Sequence, residues 1–504
     1  MSVLEAQRPQ PFVLPFPKLA YGIGILLTIF IALITGVNWQ AGLTLTLAFG
    51  YMVLVSIRLE WGVYIIVAFA VLCIDGWAPN RSPEEVVFRL AVGHMYIMEF
   101  AVYGLLAAYF MRRAFGKAGG NGDKIFAASP VEKPLKAFTF LLPVFAAYGW
   151  FRGYPAQEAF GYYEWRSLFL AIVFFFLICT IFDSSAKALR LFEWFIVWCT
   201  LAAFYSVMIF IFGAPPGTAD FLGVGPVGEG PQNYMFMFAA VSAIAVLIYC
   251  DRLTIPKYRL FLVAAILCTL NILISQKRDP QLGLIVGLIV ITWKIPIRKK
   301  IRWAVLASTA GLAAALIIAA VGIRVGGGDI SQSAARYGEV VDFVQNPRTL
   351  LKPEGSLAFH ILDCFDAWNT IKQHPVLGSG FGSEYHREYT LLSGVGGEGA
   401  GLETGMVHNQ YLTIWWKMGI AGLGVCFWLI FEICRYGRRK LFKTNLIFTD
   451  AVALGLFAAF CGDLAVEMWG SSWTTDTKFP IILFLSLALM MQLTRASHRS
   501  VRSA

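Results

Sequence analysis

Long apolar runs separated by short polar stretches make up the chain from Leu19 to Leu493. A hydrocarbon core about 30 Å thick takes about 20 apolar residues per helix. Segments of that kind fall at about 18–36, 40–57, 61–76, 93–111, 137–151, 167–183, 191–212, 233–250, 260–275, 281–294, 303–322, 409–434, 447–467 and 479–494. The pattern predicts an all-α, polytopic transmembrane helical bundle of about 12–14 spans, two of them short or close enough to be half-helices or re-entrant segments. One polar interruption, Ile323 to Met406, is far longer than an ordinary connection and marks a functional loop. Within it Leu357, Ile361, Leu362, Phe365 and Trp368 recur at helical spacing, which predicts an amphipathic helix over 357–370 lying on the membrane-facing core. His374-Pro375-Val376-Leu377-Gly378-Ser379-Gly380-Phe381-Gly382 then breaks that helix with turn residues. The organisation expected is an N-terminal membrane region over 1–322, a large loop over 323–408, and a C-terminal membrane region with a tail over 409–504.

Composition agrees with lipid as the solvent. Of 504 residues, 58% are hydrophobic and 14% charged, with a mean hydropathy of +0.66, more apolar surface than a soluble core can hide. The net charge of +10 does not indicate nucleic acid, because the basic residues form short clusters between apolar runs instead of one face or tail. Clusters such as Arg112-Arg113, Lys187 with Arg190, Lys257 with Arg259, Arg298 to Arg302, Arg435 to Lys443 and Arg495 to Arg502 all follow even-numbered spans. Lys and Arg beside spans stay in the cytoplasm. Both termini are therefore expected there, with the long loop on the outer side of the membrane. Arg8 and Lys18 precede the first apolar run, and no small-residue cleavage motif follows it, so a retained first helix is expected. Most cysteines lie in apolar runs, against a disulfide framework.

Candidate chemistry concentrates where the loop re-enters lipid. His408 stands with Asn409 in Val407-His408-Asn409-Gln410-Tyr411-Leu412, followed by Gly419-Ile420-Ala421-Gly422-Leu423. A histidine accepts a proton near neutral pH, which a hydroxyl must lose when it attacks an anomeric carbon; the plainer alternative is an interfacial histidine at a helix start. External positive charge opposes the orientation rule and so calls for a reason. Lys277 and Arg278 lie between the ninth and tenth spans, Arg166 opens the sixth and Arg152 closes the fifth. Arginine forks suit phosphate oxygens, with pairing to Asp279 and Glu164 or to lipid headgroups as the alternative. Asp463 and Glu467 share one helix face and are candidates to orient a histidine or a sugar, or to be simply solvated. Glu99 is costly in lipid unless paired. No metal or nucleotide motif is present: His360, His374 and His386 lack ligand spacing, and no metal or cofactor is expected.

With the HPVLGSG string and His408-Asn409 ahead of Gly419-Ile420-Ala421-Gly422-Leu423, the chain resembles the O-antigen ligase and polymerase superfamily of bacterial envelope glycosyltransferases. The resemblance covers 355–425 by sequence and the rest by layout. It implies metal-independent transfer of a glycan from an undecaprenyl-pyrophosphate carrier to a glycan or lipid A-core acceptor, among membrane lipids and other polysaccharide-assembly proteins. His408 then corresponds to the loop base, and Arg166 and Arg278 to the outer arginines. Substrate contacts are expected from Arg166, Lys277, Arg278, Arg336, His374 and Asn409. The chain departs from the family pattern in three places. Gln276 and Lys277 intervene between Ser275 and Arg278, no basic residue lies between Gly213 and Asn233, and His360 stands where members carry an arginine. The rival reading from another class is a flippase of lipid-linked oligosaccharide, which the span number suits and the single long loop does not.

Overall fold

The computed structural model describes residues 39–72, 97–115, 130–161, 163–212, 232–250, 253–274, 278–293, 356–386, 403–404, 407–442, 446–475 and 479–502. Its helices are α1 (Trp39–Ile57), α2 (Leu59–Leu72), α3 (Ile97–Phe115), α4 (Glu132–Phe151), α5 (Ala156–Gly161), α6 (Tyr163–Ile181), α7 (Ser185–Phe212), α8 (Gln232–Tyr249), α9 (Ile255–Ile274), α10 (Arg278–Thr292), α11 (Ser356–Ile371), α12 (Gln410–Lys440), α13 (Phe448–Val466), α14 (Ser472–Thr475) and α15 (Phe479–Arg502). Strands β1 (Tyr385–His386) and β2 (Glu403–Thr404) form one antiparallel pair. The protein is an all-α, multi-pass membrane protein. Among the described residues six helices are long and apolar enough to cross a membrane, and shorter apolar helices such as Asn233–Tyr249 and Phe479–Arg495 accompany them. Helices dominate because lipid offers backbone N–H and C=O groups no partner, so each segment satisfies its own. Every expected span coincides with a helix except 18–36 and 303–322, which lie outside the described residues.

The chain forms two compact units, Met1–Ile66 with Pro83–Ala118, and Val67–Ser82 with Gly119–Ala504. In the first, the Tyr51 hydroxyl donates to the Ala101 carbonyl at 2.7 Å and Arg112 to the Ile57 carbonyl at 2.6 Å, tying α1 to α3. Glu99 is buried in the first turn of α3.

In the second unit, α8, α13 and α15 form the interior, and α10 packs against α8 and α13. Helix α13 is apolar on all sides and buried along most of its length, as a helix surrounded by other helices must be. Small residues let these helices approach: a side chain at Gly283 would strike Met237, Val466 and the Gly462 carbonyl. Phe140, Ile255, Ile289 and Trp428, in contrast, are exposed on outer helices, where lipid is their solvent. Lys257 near the start of α9 pairs with Glu193 on α7 at 2.5 Å, while Arg152 at the end of α4 reaches the loop residue His374.

Helix α12 is not the single span its hydropathy suggests. Gly419 has φ 61° and ψ −166°, outside helical geometry, and the chain doubles back there. The rings of Tyr411 and Phe427 stack with centroids 5.8 Å apart. In a straight helix, at 1.5 Å per residue, they would be separated by roughly 24 Å. A short first arm, 410–418, therefore folds against a second arm, 420–440, which is about 30 Å long and long enough to cross lipid. The expected span over 409–434 is corrected accordingly.

Candidate active site

The break in α12 would leave backbone groups unpaired, and the HPVLGSG segment supplies their partners. Ile420 N donates to the carbonyls of Pro375 (3.2 Å) and Val376 (3.1 Å), while Ser379 N and Gly380 N donate to those of Trp416 (2.6 Å) and Lys417 (3.0 Å). Trp415 Nε1 adds a bond to the Pro375 carbonyl at 2.9 Å. The approach is so close that a Cβ on Gly378 would lie 2.5 Å from Gly419 N and 2.7 Å from the Trp416 carbonyl. With φ of +70° at Gly378 and +61° at Gly419, both positions are suited to glycine on conformational grounds as well. The motif is thus a latch that docks the loop on α12.

The latch brings α11 against the first arm of α12. The expected helix is present, but its buried stripe is Asp363, Ala367 and Ile371, with Asp366 beside it, whereas Phe365 and Trp368 are exposed. Of the apolar residues that marked the helix in the sequence, Ile361 and Leu362 are half-buried while Phe365 and Trp368 face outward, and the protein-facing side carries carboxylates.

Asp363 is fully buried and holds His408 twice. Its Oδ2 accepts from the His408 backbone N–H at 2.9 Å and pairs with His408 Nδ1 at 2.9 Å, and its Oδ1 accepts from the Tyr385 hydroxyl. Burial by itself would raise the Asp363 pKa, but the His408 hydrogen bond and charge, the Tyr385 hydroxyl and the His408 backbone N–H together bring it below the usual value. An ionised carboxylate only accepts, so the ring hydrogen sits on Nδ1 and Nε2 carries the lone pair. The His408 side chain is 29% exposed, which leaves the ring accessible from solvent. This is the acid-oriented histidine that general-base catalysis uses.

His360, one turn earlier on α11, meets His408 edge to face with ring centroids 4.5 Å apart. Burial, then the His408 and Arg278 charges, push its pKa down to about 4, against a smaller opposing pull from Asp363. It is therefore a neutral ring at physiological pH. Arg278, whose charge acts on it, begins α10. Arg166 is half-buried in the first turn of α6, which packs on α14. Lys277 and Arg336 lie outside the described residues.

Asn409, expected to contact substrate, is also a helix cap. Its Oδ1 caps α12 by accepting from Leu412 N at 3.0 Å, and its Nδ2 donates to the Met468 carbonyl at 2.9 Å, so both ends of the amide anchor the backbone next to His408. His374 Nε2 accepts from Arg152 Nη2 at 3.1 Å in an exposed pair at the end of α4. Asp463 and Glu467 are buried, not solvated. Asp463 accepts from Trp473 Nε1 at 2.9 Å, and Glu467 accepts from Ser472 N at 3.1 Å and from the Ser472 hydroxyl. They fix α14, and the carboxylate that orients the histidine is Asp363, which its sequence neighbours do not single out. A buried acid on a loop helix at a fixed distance from no other motif offers little signal. Among the described residues no group of three His, Cys, Asp or Glu side chains converges as a metal would require.

No curated protein matches the chain. The segment that carries Arg278, His360, Asp363, His408 and both sides of the latch does match a family model: residues 263–427 are similar to the O-antigen ligase family.

Proposed function

We propose that this protein transfers a glycan from an undecaprenyl-pyrophosphate carrier to an acceptor sugar hydroxyl at the periplasmic face of the bacterial inner membrane, with His408 as the base. The observation that carries the reading is the buried Asp363, which fixes His408 through its backbone N–H and its Nδ1. In the step proposed, the acceptor oxygen bonds to the anomeric carbon as its proton passes to His408 Nε2. The bond from that carbon to the pyrophosphate oxygen breaks, and the carrier pyrophosphate leaves with the electron pair. Asp363 stabilises the imidazolium that forms. Pyrophosphate is a good leaving group that needs its charge met more than it needs an acid, and Arg278 and Arg166, with Lys277 and Arg336, are proposed to meet it. A single displacement of this kind inverts the anomeric centre, by the opposite-face logic of inverting glycosidases. His374 with Arg152 is proposed to line the approach for anionic substrate groups. No metal or cofactor takes part.

The basic clusters that follow even-numbered spans in the sequence support the orientation proposed, with both termini cytoplasmic and the long loop periplasmic. Glycans from a deletion strain test the function. Single repeats on the acceptor are expected if the protein is a polymerase, and bare acceptor if it is a ligase of a glycan to lipid A core. Carrier-linked repeats retained on the cytoplasmic side would identify a flippase and remove the proposal.

Asp363→Asn tests the pair itself. The amide keeps the size but loses the charge that holds the Nδ1–H tautomer and stabilises the imidazolium. Transfer is expected to fall about 10²-fold with the donor KM little changed. Equal rates for this variant and the wild type in reconstituted membranes would remove Asp363 from the mechanism.

A further inference from the structure

Tyr385 stands outside the reacting pair and yet touches it. It follows the latch on β1, where the two-residue ladder pairs it with Thr404. Its ring is buried edge-on against Trp416, with centroids 5.0 Å apart, in a cluster with Ala367, Ile371 and Val407. Two residues before it, the Ser383 carbonyl accepts from Lys417 Nζ at 2.6 Å. That lysine is fully buried, its ammonium 3.8 Å from the centre of the Trp416 ring. With β1 held by its ladder, by Lys417 and by Trp416, the tyrosine hydroxyl donates to Asp363 Oδ1 while Oδ2 of the same carboxylate holds His408.

We propose that Tyr385 is a positioning residue that sets the basicity of His408 through Asp363, with Lys417 clamping the Ser383 backbone that leads into it. The inference rests on the reading of His408 as the base. A donor on Oδ1 draws negative charge away from Oδ2, so the carboxylate stabilises the imidazolium less than it otherwise would. It also stops the carboxylate from rotating and so fixes the plane in which the ring is held. Removing the hydroxyl therefore makes His408 more basic and less well oriented. Because the neutral ring is the active form, the acid limb of the rate profile then moves to higher pH. The packed elements also carry His360, Cys364 and Asp366 on α11, Arg278 on α10, Lys417 on the first arm of α12 and Glu467 after α13. Tyr385→Phe changes none of these and keeps the ring packed on Trp416.

The test compares the wild type with Tyr385→Phe in lipid nanodiscs, by histidine-ring NMR titration and by the pH dependence of transfer from an extracted undecaprenyl-pyrophosphate-linked oligosaccharide. The expected result is an upward shift of about 0.5 pH unit in both the His408 titration and the acid limb, with kcat lower by roughly tenfold and KM little changed. A His408 titration unchanged in Tyr385→Phe overturns the inference. So does a titration that moves while the acid limb stays in place, provided His408→Ala is inactive. If His408→Ala remains active, it is the base reading that fails, and the NMR shift still reports on the coupling by itself. Lys417→Met provides a second variant: it is expected to weaken the tyrosine contact and to move the titration in the same direction, and a downward shift counts against the clamp.

Discussion

His408→Ala is expected to lower glycan transfer by roughly 10³-fold, within the range that general-base groups contribute, while the donor still binds. The acceptor hydroxyl is a weak nucleophile, and without a base its proton must go to water in the same step that forms the new bond. The loss belongs to the chemical step because the cations proposed to hold the donor are untouched. The fold survives the change for a reason visible in the site. Asp363 keeps the backbone N–H of residue 408 and the Tyr385 hydroxyl as donors, so the buried carboxylate loses one hydrogen bond of three. The expected stability cost is about 1–3 kcal/mol, that of a missing charge-assisted bond. Transfer measured in reconstituted membranes, alongside protein level and donor binding, checks this. Intact transfer at normal protein level would show that His408 is not the base.

Gly419→Ala should be more damaging to the structure than to any single contact. The backbone there has φ +61° and ψ −166°, a region that side chains avoid at a cost on the order of 1–3 kcal/mol. The added Cβ also collides with the Val376 carbonyl and lies 2.7 Å from Gly378 N, and both atoms belong to backbone that cannot swing aside. Overpacking of that kind costs about 1–3 kcal/mol more. The strain falls on the latch, which is expected to lift off α12 and take α11, and with it Asp363, away from His408. Loss of transfer together with protease sensitivity in the loop is the outcome expected. Gly424→Ala is the matched control: it lies on the second arm of the same helix, where a Cβ meets nothing within 4 Å, and it should retain wild-type activity. If both alanine variants behave alike, the latch does not hold the site together.

The sequence carried the membrane architecture because lipid imposes a one-dimensional rule. An apolar run of about 20 residues has to become a helix to satisfy its own backbone, and α4, α6, α7, α9 and α13 lie where the runs predict. His408 was visible for a similar reason, as a titratable side chain at the edge of such a run. What the sequence could not show was its partner. Asp363 lies 45 residues away, on a helix recognised by apolar residues of which Phe365 and Trp368 turn out to face outward, while Asp463 and Glu467 were the more conspicuous acids. The reversal of α12 was hidden as well: hydropathy across 409–434 is continuous, and a glycine inside a helical pattern does not say whether the chain bends. Both outcomes depend on contacts between distant segments. Gly419 can open the helix because the Pro375–Gly380 backbone answers the groups it exposes, and Asp363 can remain charged in a buried position because Tyr385 and His408 are brought to it. Span, charge and the candidate base are local properties of this chain. The pair that would do the chemistry exists only after the loop has docked.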